Sequence, residues 1–238
     1  MQNSTATKNQ AIFKMRIKMD NFKRLKIIHF FPWSSWGTLG GTEKYILEIA
    51  RYQSEIHDVS IVYPLQNQQH IEIIKKEYFT EIILPDSNPT ANKWIAYGIK
   101  YSEAAASWEK LITLNKYDLV HFHCYEPYQL PYIKAARKQA LKIIFTPHIV
   151  NFTCTNGNLI NGLDKSVCDG EILVNRCNKC LNYREQNTPV GNLKQIINLS
   201  FKKWNFKKAT NNFDKIMVLN EHYAGVLVHN KIMKKKLF

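Results

Sequence analysis

Long hydrophobic runs are missing from this chain of 238 residues. No stretch approaches the roughly 18 consecutive apolar residues that a membrane span needs, and the N-terminus lacks the compact apolar segment of a signal peptide. Internal repeats and low-complexity tracts are also missing. With 45% apolar and 12% aromatic residues, the chain can bury one full core. These features predict a folded cytoplasmic protein with one large domain.

Acidic residues are scarce, with 19 Asp and Glu against 33 Lys and Arg, which gives a net charge of +14. The excess lies at the two ends, because residues 1–24 carry +5, residues 201–238 carry +7, and the long middle part carries only +2. This distribution favours basic tails or a surface helix that touches an anionic partner, and it disfavours a nucleic-acid groove. Plain compositional bias is the alternative. We expect residues 1–24 to be a disordered basic extension and residues 25–238 to be the folded domain.

From residue 25 onward, apolar runs typical of strands alternate with helical patterns. The predicted elements are strand 26–31, helix 42–54, strands 58–63 and 81–84, helix 92–114, strand 118–123, helix 127–139, strand 142–146, helix 191–210, strand 214–219 and a helix that begins near Asn220. Such alternation, with nearly continuous apolar strands, predicts a doubly wound α/β fold in which helices cover both faces of a parallel sheet. The pattern stops for almost forty residues after residue 150.

Two adjacent glycines, Gly40 and Gly41, lie between the first predicted strand and its helix. A helix start offers unpaired backbone N–H groups and a partial positive charge, and glycines allow a diphosphate or a sugar to approach them closely. We expect Thr42 to cap this helix with its side chain. The pattern therefore predicts a site for a diphosphate-linked ligand, although a glycine pair at this position is also typical of simple chain reversal.

Two histidines follow other strands of the predicted sheet. In open parallel sheets the ligand crevice lies beyond the carboxyl ends of the strands. His123 ends the run DLVHFH and His148 follows IIFTP, so both should lie at the same edge as Gly40 and Gly41. We expect His123 to be accessible there and able to bond an acceptor hydroxyl or a donor phosphate, whereas His121 should be structural. Either histidine alone would more often be a satisfied turn residue, but their convergence with Gly40 and Gly41 at one edge favours a site.

The succession GGTEKYILEIA, YDLVHFHCYEP, IIFTPH and FDKIMVLNEHY resembles the N-terminal half of a family 4 retaining glycosyltransferase of the GT-B type, over residues 25 to about 230. The resemblance implies a Rossmann-like domain that mainly binds the acceptor, with Gly40 and Gly41 in the loop near the nucleotide-sugar diphosphate. It also matches His123 and His148 to the family's histidines. Two residues separate His123 from Glu126, which leaves the register of that acidic residue open.

The resemblance also implies a second Rossmann-like domain that binds the nucleotide, and the sequence given ends at Phe238 before any counterpart of it. We therefore expect little or no sugar transfer by this chain alone, and a separately encoded C-terminal domain is a candidate partner. Two alternatives stay open: a non-catalytic, zinc-stabilised basic binding module, and an inactive truncated relic.

Four cysteines lie within 27 residues of an insertion at about 150–188: Cys154, Cys168, Cys177 and Cys180. The final C-x2-C spacing can grip one metal ion, so structural zinc is expected, with unmetallated thiols or disulfides as alternatives. Some bacterial members of the family it resembles contain a similar C…CDG…C-x2-C insertion. Cys124 lies apart from the cluster and is expected to be a buried apolar residue.

Helix 191–210 places Leu193, Ile197, Phe201 and Trp204 on one stripe, and lysines gather near its end. One interpretation is that this stripe faces the core and the lysines are solvated. The other is peripheral contact with the anionic inner face of a membrane, which would suit a lipid-linked glycan acceptor.

Overall fold

The computed structural model describes residues 23–32, 40–86, 92–182 and 188–237. Almost all of the predicted basic extension, and the start of the glycine loop, therefore lie outside the described residues. The strands are β1 Lys26–Phe30, β2 Asp58–Pro64, β3 Glu72–Lys75, β4 Thr80–Leu84, β5 Leu119–His123, β6 Lys142–Thr146 and β7 Lys215–Ile216. The helices are α1 Gly41–Ser54, α2 Lys93–Ala96, α3 Glu103–Asn115, α4 Leu130–Lys138, α5 Val174–Asn182, α6 Pro189–Asn212 and α7 Glu221–His229. Within these ranges, no helix combines the length and the apolar character needed to cross a bilayer.

The strands form one sheet in the order β3-β4-β2-β1-β5-β6-β7, and every pairing is parallel except that between β3 and β4. The larger core lies on one face, where Phe30, Phe122 and Phe145 meet Trp108 of α3 and Tyr132 of α4. A smaller core lies on the other face, beneath α1. The predicted doubly wound α/β fold, of the Rossmann-like kind, is confirmed.

The predicted helix 92–114 is wrong, because it is two helices, α2 and α3. The chain turns at Gly98, whose φ of +65° lies in the left-handed region. A Cβ atom at Gly98 would lie 2.2 Å from the carbonyl oxygen of Pro127, so glycine is required there. Ser102 then starts α3, since its hydroxyl accepts a hydrogen bond from the amide of Ala105. Periodicity alone could not show this interruption.

Smaller differences concern the sheet edges and the insertion. The edge strand β3 was not predicted, and β7 covers only two residues of the predicted strand 214–219. In the insertion, α5 forms where only a loop was expected. Helix 127–139 begins with a 3₁₀ turn over Pro127–Gln129, in which Glu126 and Gln129 form a reciprocal capping box.

Candidate functional site at the carboxyl edge of the sheet

The first turns of α1 lie against the ends of β5 and β6, as the sequence predicted. The ring of Tyr45 on α1 packs edge-on against His148 at 4.8 Å and against His123 at 5.9 Å between centroids. The Thr42 side chain interacts with the Cys124 thiol, which follows β5 directly. Gly40, Gly41 and Thr42 therefore lie at the same edge of the sheet as both predicted histidines.

Helix α1 begins differently from the prediction. Gly40 is its N-cap residue, at φ −79°, and no side chain caps the helix. Thr42 is already inside the first turn, so the expectation that it is the capping residue is wrong. Glu43 folds back toward Gly40, where a Cβ atom would lie 2.8 Å from a carboxylate oxygen of Glu43. Gly41 has open space around its Cα, which leaves its backbone approachable.

Four side chains form a continuous chain of hydrogen-bonding groups beneath α1. The amide oxygen of Gln53 lies 2.8 Å from Nε2 of His29, and Nδ1 of His29 lies 2.9 Å from Nε2 of His123. Nδ1 of His123 then lies 3.0 Å from Nε2 of His148. We call this series of four side chains the histidine relay. It begins at Gln53 near the end of α1, runs between α1 and the sheet, and ends at His148 at the sheet edge.

The relay follows from strand register. His29 on β1 is the Cα partner of His121 on β5, and His123 is the partner of Thr146 on β6. Side chains two residues apart in a strand share a face, so all three histidines point toward α1. Nε2 of His121 pairs with the Thr146 hydroxyl at 2.7 Å, which supports the structural interpretation of His121.

Burial keeps the relay uncharged at neutral pH. His29 and His123 are fully buried, and desolvation lowers the pKa of His29 to about 4, with the hydrogen bond to Gln53 opposing this. The pKa of His123 is held well below its ordinary value by burial and by the neighbouring histidines. Desolvation also lowers the pKa of the half-buried His148 to about 4.

The expectation that a ligand can reach His123 directly is wrong, because its side chain is 0% exposed and both ring nitrogens face other histidines. Among the three histidines of the relay, His148 is the one with solvent access. The roles of His29 and Gln53 were missed. A signal existed for His29, since it is a polar residue inside the apolar run of β1, on the face opposite Ile28 and Phe30.

In the part of the chain that the structure describes, only His29, His121 and His123 have ligand atoms within 4.8 Å of one another, the spacing a metal site needs. Two nitrogens bound to one tetrahedral zinc at about 2.0–2.1 Å lie more than 3 Å apart. The 2.9 Å between His29 and His123 is a hydrogen-bond distance. The cluster as it stands shares protons and does not have the geometry of a metal site.

The turn after β5 also shapes this edge. Cys124 has a φ of +61°, which is uncommon for a residue with a side chain and is typical of sites held in place by their surroundings. As expected, Cys124 is buried, and burial raises the pKa of its thiol to about 12. Burial also raises the pKa of Glu126, against the opposing effect of Lys202 on α6.

The four clustered cysteines line one cavity of about 200 Å³ in the insertion. All four are free thiols, so the disulfide alternative is not what the structure shows. The amide of Gly162 donates to Sγ of Cys180 at 3.1 Å, and the amide of Gly170 donates to Sγ of Cys168 at 3.4 Å. Among the described residues no three of these sulfurs lie within 4.8 Å of one another.

The insertion contacts the sheet edge through α6. Nζ of Lys202 donates to the hydroxyl of Thr155 at 3.1 Å, while its charge acts on Glu126, Cys154 and Cys177. Burial lowers the pKa of this lysine. Lys202 thus lies between the cysteine cavity and the turn that follows His123.

Comparison with known proteins places these features in a family. The model of Glycosyltransferase Family 4 matches residues 39–236, whereas no curated protein matches the sequence. MnaA from S. aureus, solved with UDP, is 12% identical, with a TM-score of 0.46 over 90% of this chain and 44% of its own. UDP-N-acetylglucosamine 2-epimerase from Rickettsia bellii is 16% identical, with a TM-score of 0.45 over 91% and 44%.

A further solved structure is the UDP-forming alpha,alpha-trehalose-phosphate synthase from Burkholderia vietnamiensis. It is 11% identical, with a TM-score of 0.43 over 88% of this chain and 43% of its own. The chain therefore spans less than half the length of these structures. Because the family model matches most of the sequence, as the succession of motifs predicted, the chain belongs to Glycosyltransferase Family 4.

Proposed function

We propose that this chain is the acceptor-side domain of a glycosyltransferase that moves a sugar from a nucleotide-sugar donor to a glycan or a lipid-linked acceptor. The observation that supports this best is the meeting of the α1 N-terminus with His148 and His123 at one sheet edge. Exposed backbone N–H groups at Gly40 and Gly41 suit a donor diphosphate. His148, at the end of the relay, suits a sugar hydroxyl in the same crevice.

Direct binding tests this proposal. A panel of UDP-, GDP- and dTDP-hexoses, together with free hexoses, is titrated into the chain and followed by ligand-observed NMR. We expect His148→Ala to weaken binding about five- to tenfold, the effect of losing one good hydrogen bond in a crevice. His222→Ala, at an exposed histidine on α7, is the matched control and should bind as the wild type does. Unchanged binding by His148→Ala would contradict the assignment.

We also propose that sugar transfer needs a second Rossmann-like domain, with a separately encoded polypeptide as a candidate source. The chain spans 44% of the MnaA structure that it matches, and the family resemblance implies that the nucleotide is bound mainly by a second Rossmann-like domain. The chain alone should then give little or no turnover in a donor-hydrolysis or transfer assay. Adding the product of the neighbouring reading frame should restore it. Normal transfer by the chain alone would refute this requirement.

We propose that Cys154, Cys168, Cys177 and Cys180 hold a structural zinc ion. The support is a shared cavity, four free thiols, and backbone amides that already donate hydrogen bonds to two of the sulfurs. Metal-bound thiolates are commonly held by such hydrogen bonds. Binding one ion would draw the sulfurs closer together than they are here. All four would be used, so the ion would stabilise the loop and leave no open position for catalysis.

Metal analysis tests the zinc site. We expect about one zinc per chain, lost on Cys180→Ser and kept on Cys124→Ser, which changes a cysteine outside the cavity. Chelation should increase hydrogen exchange in residues 154–182. A chain that binds no zinc, or a loop whose exchange is unchanged after chelation, would contradict the proposal.

We propose, further, that α6 touches the inner face of a membrane, which would place the protein peripherally in the cytoplasm. Leu193, Ile197 and Trp204 are 59%, 44% and 42% exposed, and lysines border them. Apolar side chains beside lysines suit the interface of an anionic bilayer. Binding to phosphatidylserine vesicles should fall in high salt and in Trp204→Ser. Lys134→Ser, at an exposed position of α4, is the control, and equal binding by all variants would count against this contact.

A further inference from the structure

We infer that Gln53 and His29 are positioning residues that fix the tautomer of His148, so that its Nδ1 presents a lone pair to the crevice. This inference rests on the proposed function only in naming the crevice as the place where a ligand meets His148. The hydrogen-bonding order itself follows from the chemistry of the side chains along the relay.

The direction of the relay is set at the Gln53 end. A glutamine amide can turn either its oxygen or its NH2 group toward a ring nitrogen; here the oxygen faces Nε2 of His29 at 2.8 Å and accepts, so this nitrogen carries a proton. A neutral imidazole carries one N–H, which leaves Nδ1 of His29 as an acceptor. Nε2 of His123, 2.9 Å away, must then donate to it. The tautomer chosen at Gln53 is thus passed from β1 to β5.

The same step repeats at the sheet edge. Because Nε2 of His123 carries its proton, Nδ1 of His123 accepts, and Nε2 of His148 donates to it over 3.0 Å. Nδ1 of His148 is left with a lone pair, and it has no hydrogen-bond partner among the described residues. Burial keeps all three rings neutral near pH 7, since it lowers the pKa of each.

A lone pair at this position selects its partner. It accepts a hydrogen bond from a hydroxyl, and it repels the oxygens of a phosphate, which can only accept. In the crevice, His148 should therefore bond to a sugar hydroxyl, while the α1 N-terminus is left to meet the diphosphate. The order of donors and acceptors along the relay would then determine that His148 meets the sugar and does not meet the diphosphate of a nucleotide-sugar.

The competing explanation is a metal ion among His29, His121 and His123. It requires the proton between His29 and His123 to leave and the rings to separate, which their 2.9 Å contact disfavours. Full burial of all three rings also leaves an ion no open path. Adding zinc separates the two explanations, because nitrogens that are hydrogen-bonded to one another, as those of His29 and His123 are, are not free to bind a metal ion.

Long-range ¹⁵N–¹H correlation spectra of the labelled chain at pH 8 report the tautomer of each ring directly and need no ligand. We expect His29, His123 and His148 all to be protonated at Nε2. Gln53→Leu removes the fixed acceptor and should shift the tautomer ratio at His148 about five- to tenfold toward Nδ1–H, the equivalent of one hydrogen bond. Gln53→Glu, whose oxygens also only accept, should keep the wild-type tautomers.

Gln139→Leu is the matched control, since Gln139 is also half-buried near a helix end and its amide donates to Thr113 at 2.9 Å. It should leave every histidine signal in place. Protonation of His148 at Nδ1 in the wild type, or a ratio that Gln53→Leu does not move, would overturn the inference. Zinc that shifts the His29 and His121 signals would do so as well. These spectra are recorded without a substrate, so they test the tautomers alone. A failure of the proposed function would appear in the nucleotide-sugar titration and would leave these spectra unchanged.

Discussion

Lowering the pH from 7 to 5 should destabilise this protein strongly, and His29 should account for a defined part of the loss. Burial lowers the pKa of His29 from 6.5 to about 4. Between these values the unfolded chain binds a proton that the folded chain does not. The contribution of His29 to stability is therefore intact above pH 6.5 and is lost as the pH falls toward 4.

The size of the loss follows from linkage. Each unit of pKa difference is worth about 1.4 kcal/mol, and from pH 7 to pH 5 the unfolded form takes up most of one proton per histidine, so His29 costs roughly 2 kcal/mol. His121, His123 and His148 act in the same direction, because burial lowers their pKa values too. Glu126, whose pKa burial raises, opposes them slightly.

Urea unfolding at pH 7 and pH 5 measures this. His29→Gln keeps a side-chain oxygen to accept from His123 but has no ring to protonate, so its loss of stability on acidification should be about 2 kcal/mol smaller than in the wild type. His70→Gln changes an exposed histidine, and this variant should lose as much stability between pH 7 and pH 5 as the wild type does. If the free energy of unfolding depends equally on pH in the wild type and in His29→Gln, then burial does not hold His29 neutral.

Three substitutions test how the edge of the sheet is built. Gly98→Ala should cost at least about 2 kcal/mol in thermal or urea unfolding, because φ is +65° and the new methyl would overlap the carbonyl of Pro127. Gly41→Ala should leave the free energy of unfolding unchanged or raise it by about 0.5 kcal/mol, since nothing lies within 4 Å and alanine favours helix, while nucleotide-sugar binding weakens. Asn205→Leu should cost about 2–4 kcal/mol, because the buried amide of Asn205 donates to the carbonyls of Tyr97 and Pro127, which would both lose their partner. Stability losses below about 1 kcal/mol at Gly98 and Asn205 would contradict this description.

The positions of most strands and their shared carboxyl edge could be predicted from the sequence because they depend on local signals. Nearly continuous apolar runs marked β1, β2, β5 and β6 to within a residue or two. Parallel strands bring their carboxyl ends together, so any polar residue just after such a run reaches the same edge. His123 and His148 were found in this way, and Gly40 was found from the glycine pair that precedes the first helical pattern. Exposed β3 has apolar and charged residues without a strict alternation, and no such signal marked it.

The relay could not be predicted, since it depends on register between strands that are far apart in sequence. His29 and His123 are 94 residues apart, and only the pairing of β1 with β5 makes them neighbours. A one-residue change of register would have placed the two rings on opposite faces. The burial of His123 has the same origin, because Tyr45 and His148 cover it from other elements.

Helix α6 shows where periodicity reaches its limit. At 100° per residue, Leu193, Ile197 and Trp204 form one stripe, while Leu199, Phe206 and Ala209 lie on roughly the opposite side. Both stripes are apolar, and the sequence favoured the first as the core face. The structure buries the second. Of the first stripe, Leu193, Ile197 and Trp204 are largely exposed, so the core-facing interpretation is wrong for them, whereas the fourth member, Phe201, is half-buried and stacks on Tyr97. A helix with two apolar stripes has a weak amphipathic signal, and the choice between them is made by its neighbours. Here the hydrogen bonds of Asn205 to the turns at Tyr97 and Pro127 set the rotation of α6, and the same rotation directs Lys202 toward Glu126.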